Sequence, residues 1–95
     1  MQQDIKQVII PILKLYGVSK AAIFGSYSRG DQTDTSDIDI VIDPPQGMSY
    51  FTFFDLKEAL EKQIQKKVDL LTYRGLNPHI KPYIERDQII IYEKK

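Results

Sequence analysis

Ser36-Asp37-Ile38-Asp39-Ile40-Val41-Ile42-Asp43 is the stretch whose pattern decides the fold. Ile38, Ile40 and Ile42 fall on one face, and Asp37, Asp39, Val41 and Asp43 on the other. That two-residue period predicts a strand over 36–43 with one buried side. Pro44-Pro45 and Gly47 end it. A slip of one residue would send the isoleucines out and the aspartates in, so the register is tightly specified. Residues two apart on a strand stand about 6.6 Å from each other, so Asp37 and Asp39 project side by side. Their repulsion asks for a cation nearby. Oxygen ligands suit Mg²⁺, Mn²⁺ or Ca²⁺, and Mg²⁺ takes one or two carboxylates and fills its other positions with water and phosphate. Standing alone, an Asp-x-Asp pair also describes the solvated face of a half-exposed strand.

Immediately upstream, Ala21-Ala22-Ile23-Phe24 reads as a short buried strand feeding the turn Gly25-Ser26-Tyr27-Ser28-Arg29-Gly30. The turn supplies flexible backbone, two serine hydroxyls and a guanidinium. Backbone N–H groups and a charged fork of this kind can hold a polyphosphate. Arg29 is a phosphate ligand on that reading, or else pairs with Asp31 or Asp34 at the surface. Earlier still, Ile5, Val8, Ile9, Ile12, Leu13 and Tyr16 make one apolar stripe, which predicts a helix over 3–16. Pro11 inside it predicts a kink, and Gly17 is the stop.

Downstream, Ser49 is the expected N-cap of a helix reaching Lys66, with Phe53, Leu56, Ala59, Leu60 and Ile64 on its apolar stripe. Tyr50, Phe51 and Phe54 flank that stripe and are either core or an exposed patch for a partner. Val68–Thr72 is a third strand, and Asp69 lies inside its apolar run. An unpaired charge is costly in such a setting. Either a lysine such as Lys67 pairs with it, or this strand lies beside the second and turns Asp69 toward the same site. There it would complete a three-carboxylate cluster able to accept the proton of an attacking hydroxyl. Tyr73 and Arg74 follow, where they either border that site or simply pack. Asn77-Pro78 looks like a cap and first helical position, but Pro82 makes a helix near 79–86 irregular. His79, the only histidine, has no second histidine or nearby carboxylate pattern and reads as a surface or helix-start residue. Gln88–Tyr92 closes the chain with a fourth strand.

Helices therefore alternate with strands around one sheet, an α/β (α+β) arrangement. The length of 95 residues fits a single domain, 1–95, with a small core. Zero cysteines exclude disulfides, a thiolate zinc site and a Cys nucleophile. There is no apolar run of membrane-spanning length, and Met1-Gln2-Gln3-Asp4 lacks a cationic leader, so a cytoplasmic location is expected and no membrane is. Thirteen basic residues cancel thirteen acidic ones, so nucleic acid is not indicated as a partner. The balance is nevertheless segregated: between Gly30 and Leu56 there are six aspartates and no Lys or Arg.

Gly25-Ser26, ten residues, Asp37-Ile38-Asp39, and then Asp69 on a later strand together resemble the signature of the polymerase beta nucleotidyltransferase superfamily. The turn and Ser36-Asp37 are most similar to its minimal nucleotidyltransferase (MNT) members. The resemblance implies a polymerase-beta-like fold, a small mixed sheet of about four strands with flanking helices. It implies that Asp37 and Asp39 hold two Mg²⁺ ions and that Asp69 binds one of them while activating the acceptor hydroxyl. It also implies that Gly25 and Ser26 contact a nucleoside triphosphate, ATP in the first instance, with Arg29 as a further phosphate ligand.

Larger members of that superfamily carry a further domain that binds the acceptor. The MNT resemblance implies instead an acceptor on a separate HEPN-domain protein, in some cases a ribonuclease toxin to which the MNT protein is the antitoxin, transferring AMP from ATP to a tyrosine. The alternatives are a non-catalytic module that neutralises or scaffolds a partner, and transfer to a small molecule such as an aminoglycoside.

Overall fold

The computed structural model describes residues 2–25, 28, 30 and 37–94. The elements are α1 (Gln2–Leu15), β1 (Lys20–Phe24), β2 (Ile38–Asp43), α2 (Tyr50–Ile64), β3 (Val68–Thr72), α3 (Lys81–Asp87) and β4 (Ile89–Glu93). The four strands form one sheet in the order β3-β2-β1-β4. β1 is antiparallel to both β2 and β4, whereas β2 and β3 are parallel and joined through α2. The sheet is thus mixed, as expected.

Several helix ends have a visible cause. α1 continues through Pro11, whose side chain lies on the exposed side. Gly17 adopts φ +78° and stops the helix; its N–H donates to the Lys14 carbonyl at 3.1 Å, and the Val18 N–H donates to the Leu13 carbonyl at 3.0 Å. Those two bonds are a Schellman cap, accompanied by the burial of both Leu13 and Val18 in one cluster. At α2, the Ser49 hydroxyl accepts the Thr52 N–H at 3.2 Å, and Gln65 closes the other end at φ 56°. α3 corrects the expected start near 79. Residues 77–80 form a turn in which the His79 N–H donates to Asn77 Oδ1 at 2.8 Å, and the helix begins only at Lys81. Pro82 then falls in the first turn, where its missing N–H has no partner to lose.

α1 and α2 cover one face of the sheet. Ile38, Ile40 and Ile42 of β2, Ala21 and Ile23 of β1, and Val68 and Leu70 of β3 pack there against Ile9, Leu13, Leu56 and Leu60. The opposite face carries a second, smaller core of Ala22, Val41, Leu76 and Ile84, so α3 and the segment before it cover only the β1 and β2 side. The aspartate face of β2 is therefore partly roofed, with Val41 fully buried, while its β3 flank is open. No described helix is long and apolar enough to cross a membrane.

Candidate active site

The open end of that second face gathers the carboxylates. Asp39 lies opposite Asp69 in the parallel β2/β3 register and opposite Phe24 in the antiparallel β1/β2 register. Neighbouring strands are about 4.8 Å apart, so Asp39 and Asp69 are direct neighbours on one face. Asp37, just before β2, follows the same alternation and is exposed. The start of β2 is tied to the start of β3 by the Ile38 N–H, which donates to the Lys67 carbonyl at 3.0 Å. β3 itself is anchored to α2 where the Val68 N–H donates to a Glu61 carboxylate oxygen at 2.9 Å. That bond, with Lys57 Nζ at 3.1 Å adding to it, holds the Glu61 carboxyl below its ordinary pKa.

Gly25 follows Phe24 directly and takes φ +72°. A Cβ built on it would overlap Asp39 Oδ2 and lie 3.1 Å from Asp39 Cγ. The turn thus presses its bare backbone against the carboxylate, which only glycine permits. The N–H and hydroxyl of Ser28 both donate to the Gly25 carbonyl, at 3.1 and 2.9 Å, and close the turn. Ser26 and Arg29 lie outside the described residues, as do Asp31 and Asp34.

The structure brings Gly25, Asp39 and Asp69 into one row across β1, β2 and β3, with Asp37 at its edge. It corrects the premise that Asp69 is a costly interior charge. β3 is an edge strand, and Asp69 and Leu71 alternate outward and are exposed. Among the described residues Asp69 has no ion pair, with Lys67 or otherwise. Nor do three acidic or histidine side chains among the described residues close into a ready-made metal cage. The carboxylates form a row rather than a cage. Such a row of hard oxygen donors fits Mg²⁺, which needs only one or two protein carboxylates when phosphate and water complete its shell.

Tyr73 and Arg74 do not border this row. They follow the C-terminal end of β3, whereas Asp69 is near its N-terminal end. Tyr73 packs against the smaller core, its hydroxyl donates to Gln88 Oε1 at 2.7 Å, and Lys20 Nζ stands 5.0 Å from its ring centre. Burial first, then the carboxylates of Glu93, Asp43 and Glu85, push its pKa up to about 12. His79 is exposed in the turn before α3. Tyr50 and Phe51, 84% and 85% exposed, and Phe54 form a surface patch rather than core. Sequence reasoning missed a recess of about 120 Å³ between Gly25, Phe24 and α3, lined also by Tyr83, Ile84 and Asp87. No local pattern announces it, because it depends on how α3 folds back over β1.

The chain that carries this arrangement matches the Polymerase beta, Nucleotidyltransferase family model over residues 7–95. The chain belongs to the polymerase beta nucleotidyltransferase family. It is 44% identical over 86 residues to a candidate protein adenylyltransferase of Methanocaldococcus jannaschii, covering 90% of this chain and 92% of that one. It is 33% identical over 76 residues to protein adenylyltransferase MntA of Thermococcus cleftensis, covering 80% of this chain and 77% of that one. Its fold matches a chain from the structure of tri-AMPylated Shewanella oneidensis HEPN toxin in complex with MNT antitoxin, with TM-score 0.78 and 22% identity over 99% of this chain and 74% of that one. This nucleotidyltransferase therefore has the mixed four-stranded sheet of its family, with Gly25, Asp39 and Asp69 in a row across one end of a partly roofed face.

Proposed function

We propose that this nucleotidyltransferase moves AMP from ATP to a hydroxyl of a partner protein, and that the partner is a HEPN-domain toxin for which it acts as antitoxin. The observation that supports the reading is the row of Gly25, in the turn after β1, with Asp39 on β2 and Asp69 on β3, which would supply a phosphate turn, a metal carboxylate and a proton acceptor. The relatives named as protein adenylyltransferases support the nucleotide and the class of acceptor. The tri-AMPylated HEPN toxin of the S. oneidensis complex supports the partner.

In this scheme Asp37, Asp39 and Asp69 would hold two Mg²⁺ ions, which when bound supply Lewis acidity and neutralise charge on the triphosphate. The Gly25 backbone and Ser26 receive the triphosphate, with Arg29 as a further ligand, and orient the α-phosphate for in-line attack. Asp69 accepts the proton of the attacking hydroxyl. The new bond joins that hydroxyl oxygen to the α-phosphorus, the bond from the α-phosphorus to the α,β-bridging oxygen breaks, and pyrophosphate leaves. Asp69 is suited to this role by its exposure, since the acceptor must reach it from outside the sheet.

The test is transfer of label from α-labelled ATP to a co-expressed HEPN-domain protein. Wild type is expected to label it, and Asp37→Ala and Asp39→Ala are expected not to. Label that is absent in wild type, or equal in the variants, defeats the proposal. If the same variants still protect cells from the partner, neutralisation is by binding. The exposed Tyr50, Phe51 and Phe54 favour that second reading, because they present a ready surface for a protein.

A further inference from the structure

Asp69 stands on an edge strand, and the free side of that strand is distinctive. Backbone groups of successive strand residues point alternately to the two sides. The Lys67 carbonyl accepts from Ile38 and the Tyr73 N–H donates to Ile42, so residues 67, 69, 71 and 73 face β2. Residues 68, 70 and 72 face away. Of these, the Val68 N–H is taken by Glu61, and the Thr72 carbonyl by the Gly75 N–H at 3.1 Å. Among the described residues, the N–H and carbonyl of Leu70 and the N–H of Thr72 have no strand beyond them.

The same edge opens into an apolar groove of about 310 Å³, lined by Leu70, Leu71 and Thr72 on the strand and by Met48, Tyr50 and Phe53 from the start of α2. Leu71 is 39% exposed and shares the outward face of β3 with Asp69, two residues earlier. Through Leu71 the groove therefore reaches the strand face that also carries Asp69.

Resting on the reading of this chain as a protein-modifying transferase, we infer that the acceptor segment of the partner protein binds as an extended strand along the free edge of β3. Pairing with Leu70 and Thr72 fixes its register. A residue of the added strand then lies beside Asp69 on the same face, about 4.8 Å away across the strands, which is where the attacking hydroxyl is needed. The residue two positions along lies beside Leu71, so the acceptor sequence carries an apolar side chain two residues from its hydroxyl. Beyond it, Tyr50 and Phe53 cover further apolar side chains in the groove. Glu61, by occupying the Val68 N–H, removes one outward donor at the Val68 end and so biases pairing toward Leu70 and Thr72.

Two measurements test this. In amide hydrogen exchange without nucleotide, adding an intact HEPN-domain partner is expected to slow the Leu70 and Thr72 amides. Those of Asp69 and Leu71, already bonded to β2, change little. No added protection at Leu70 and Thr72 overturns the inference. In label transfer from ATP, Leu71→Asp and Tyr50→Asp are expected to raise the KM for the partner by about tenfold or more while ATP affinity stays unchanged. An unchanged KM also overturns it. Protection without any AMP transfer would leave the docking standing and remove the enzymatic reading. Transfer without protection would do the reverse.

Discussion

At the scale of single residues, Gly25 is where the phosphate turn and the carboxylate row meet. Gly25→Ala adds both a left-handed strain at φ +72° and an overlap with Asp39 Oδ2. The expected outcome is a stability loss of about 1–3 kcal/mol in denaturant unfolding. Displacement of the carboxylate is expected to lower transfer by about a hundredfold. Gly30→Ala is the control, since Gly30 also has positive φ but nothing within 4 Å of an added Cβ. It should show the backbone cost alone. Tyr73 gives a second test. Its raised pKa means the folded state keeps the phenolic proton longer than the unfolded chain does. The stability linked to that proton is fully present below the ordinary tyrosine range, near pH 10, and is lost as pH rises through about 12. Ultraviolet titration should show one late-ionising tyrosine that disappears in Tyr73→Phe, with loss of the Gln88 bond costing about 1 kcal/mol.

At the scale of elements, β3 is held by its ladder with β2 and, on its outer side, by one carboxylate of α2. Glu61→Gln weakens the bond to the Val68 N–H and removes the Lys57 pair, for an expected loss of about 1–2 kcal/mol by chemical denaturation. Because the folded pKa of Glu61 is lowered, its contribution is present above the ordinary glutamate pKa and fades as pH falls through the lowered value. The acid limb of stability should therefore flatten in the variant. The isoleucine and aspartate alternation of β2 and the Ser49 cap of α2 were legible in sequence, because each is a local signal with its own period or spacing. The β2/β3 neighbourhood was legible only as a condition, since register between strands thirty residues apart is written in no local pattern. The apolar run around Asp69 misled, because a run buried on both faces and an edge strand with one open face look alike in four residues. The start of α3 was displaced because Asn77 caps a turn rather than the helix, a choice that depends on where Ile84 finds its core.

For the molecule as a whole, the site is maintained against its own charge. Asp39 and Asp69 face each other in register, and like charges so placed are destabilising. Asp69→Asn should raise thermal stability in the absence of divalent cations, by about 0.2–1 kcal/mol. It should abolish label transfer at the same time, the usual exchange between stability and activity. Calorimetry alongside the transfer assay checks both signs. A last consequence lies in β1, whose middle residues Ala21 and Ala22 are fully buried on opposite faces of the sheet. Alanine there sets how closely the helical layers above and below can approach. Saturation mutagenesis would therefore find this strand the least tolerant of added bulk, each extra methyl group prying apart either the structural half of the protein or the half that bears the chemistry.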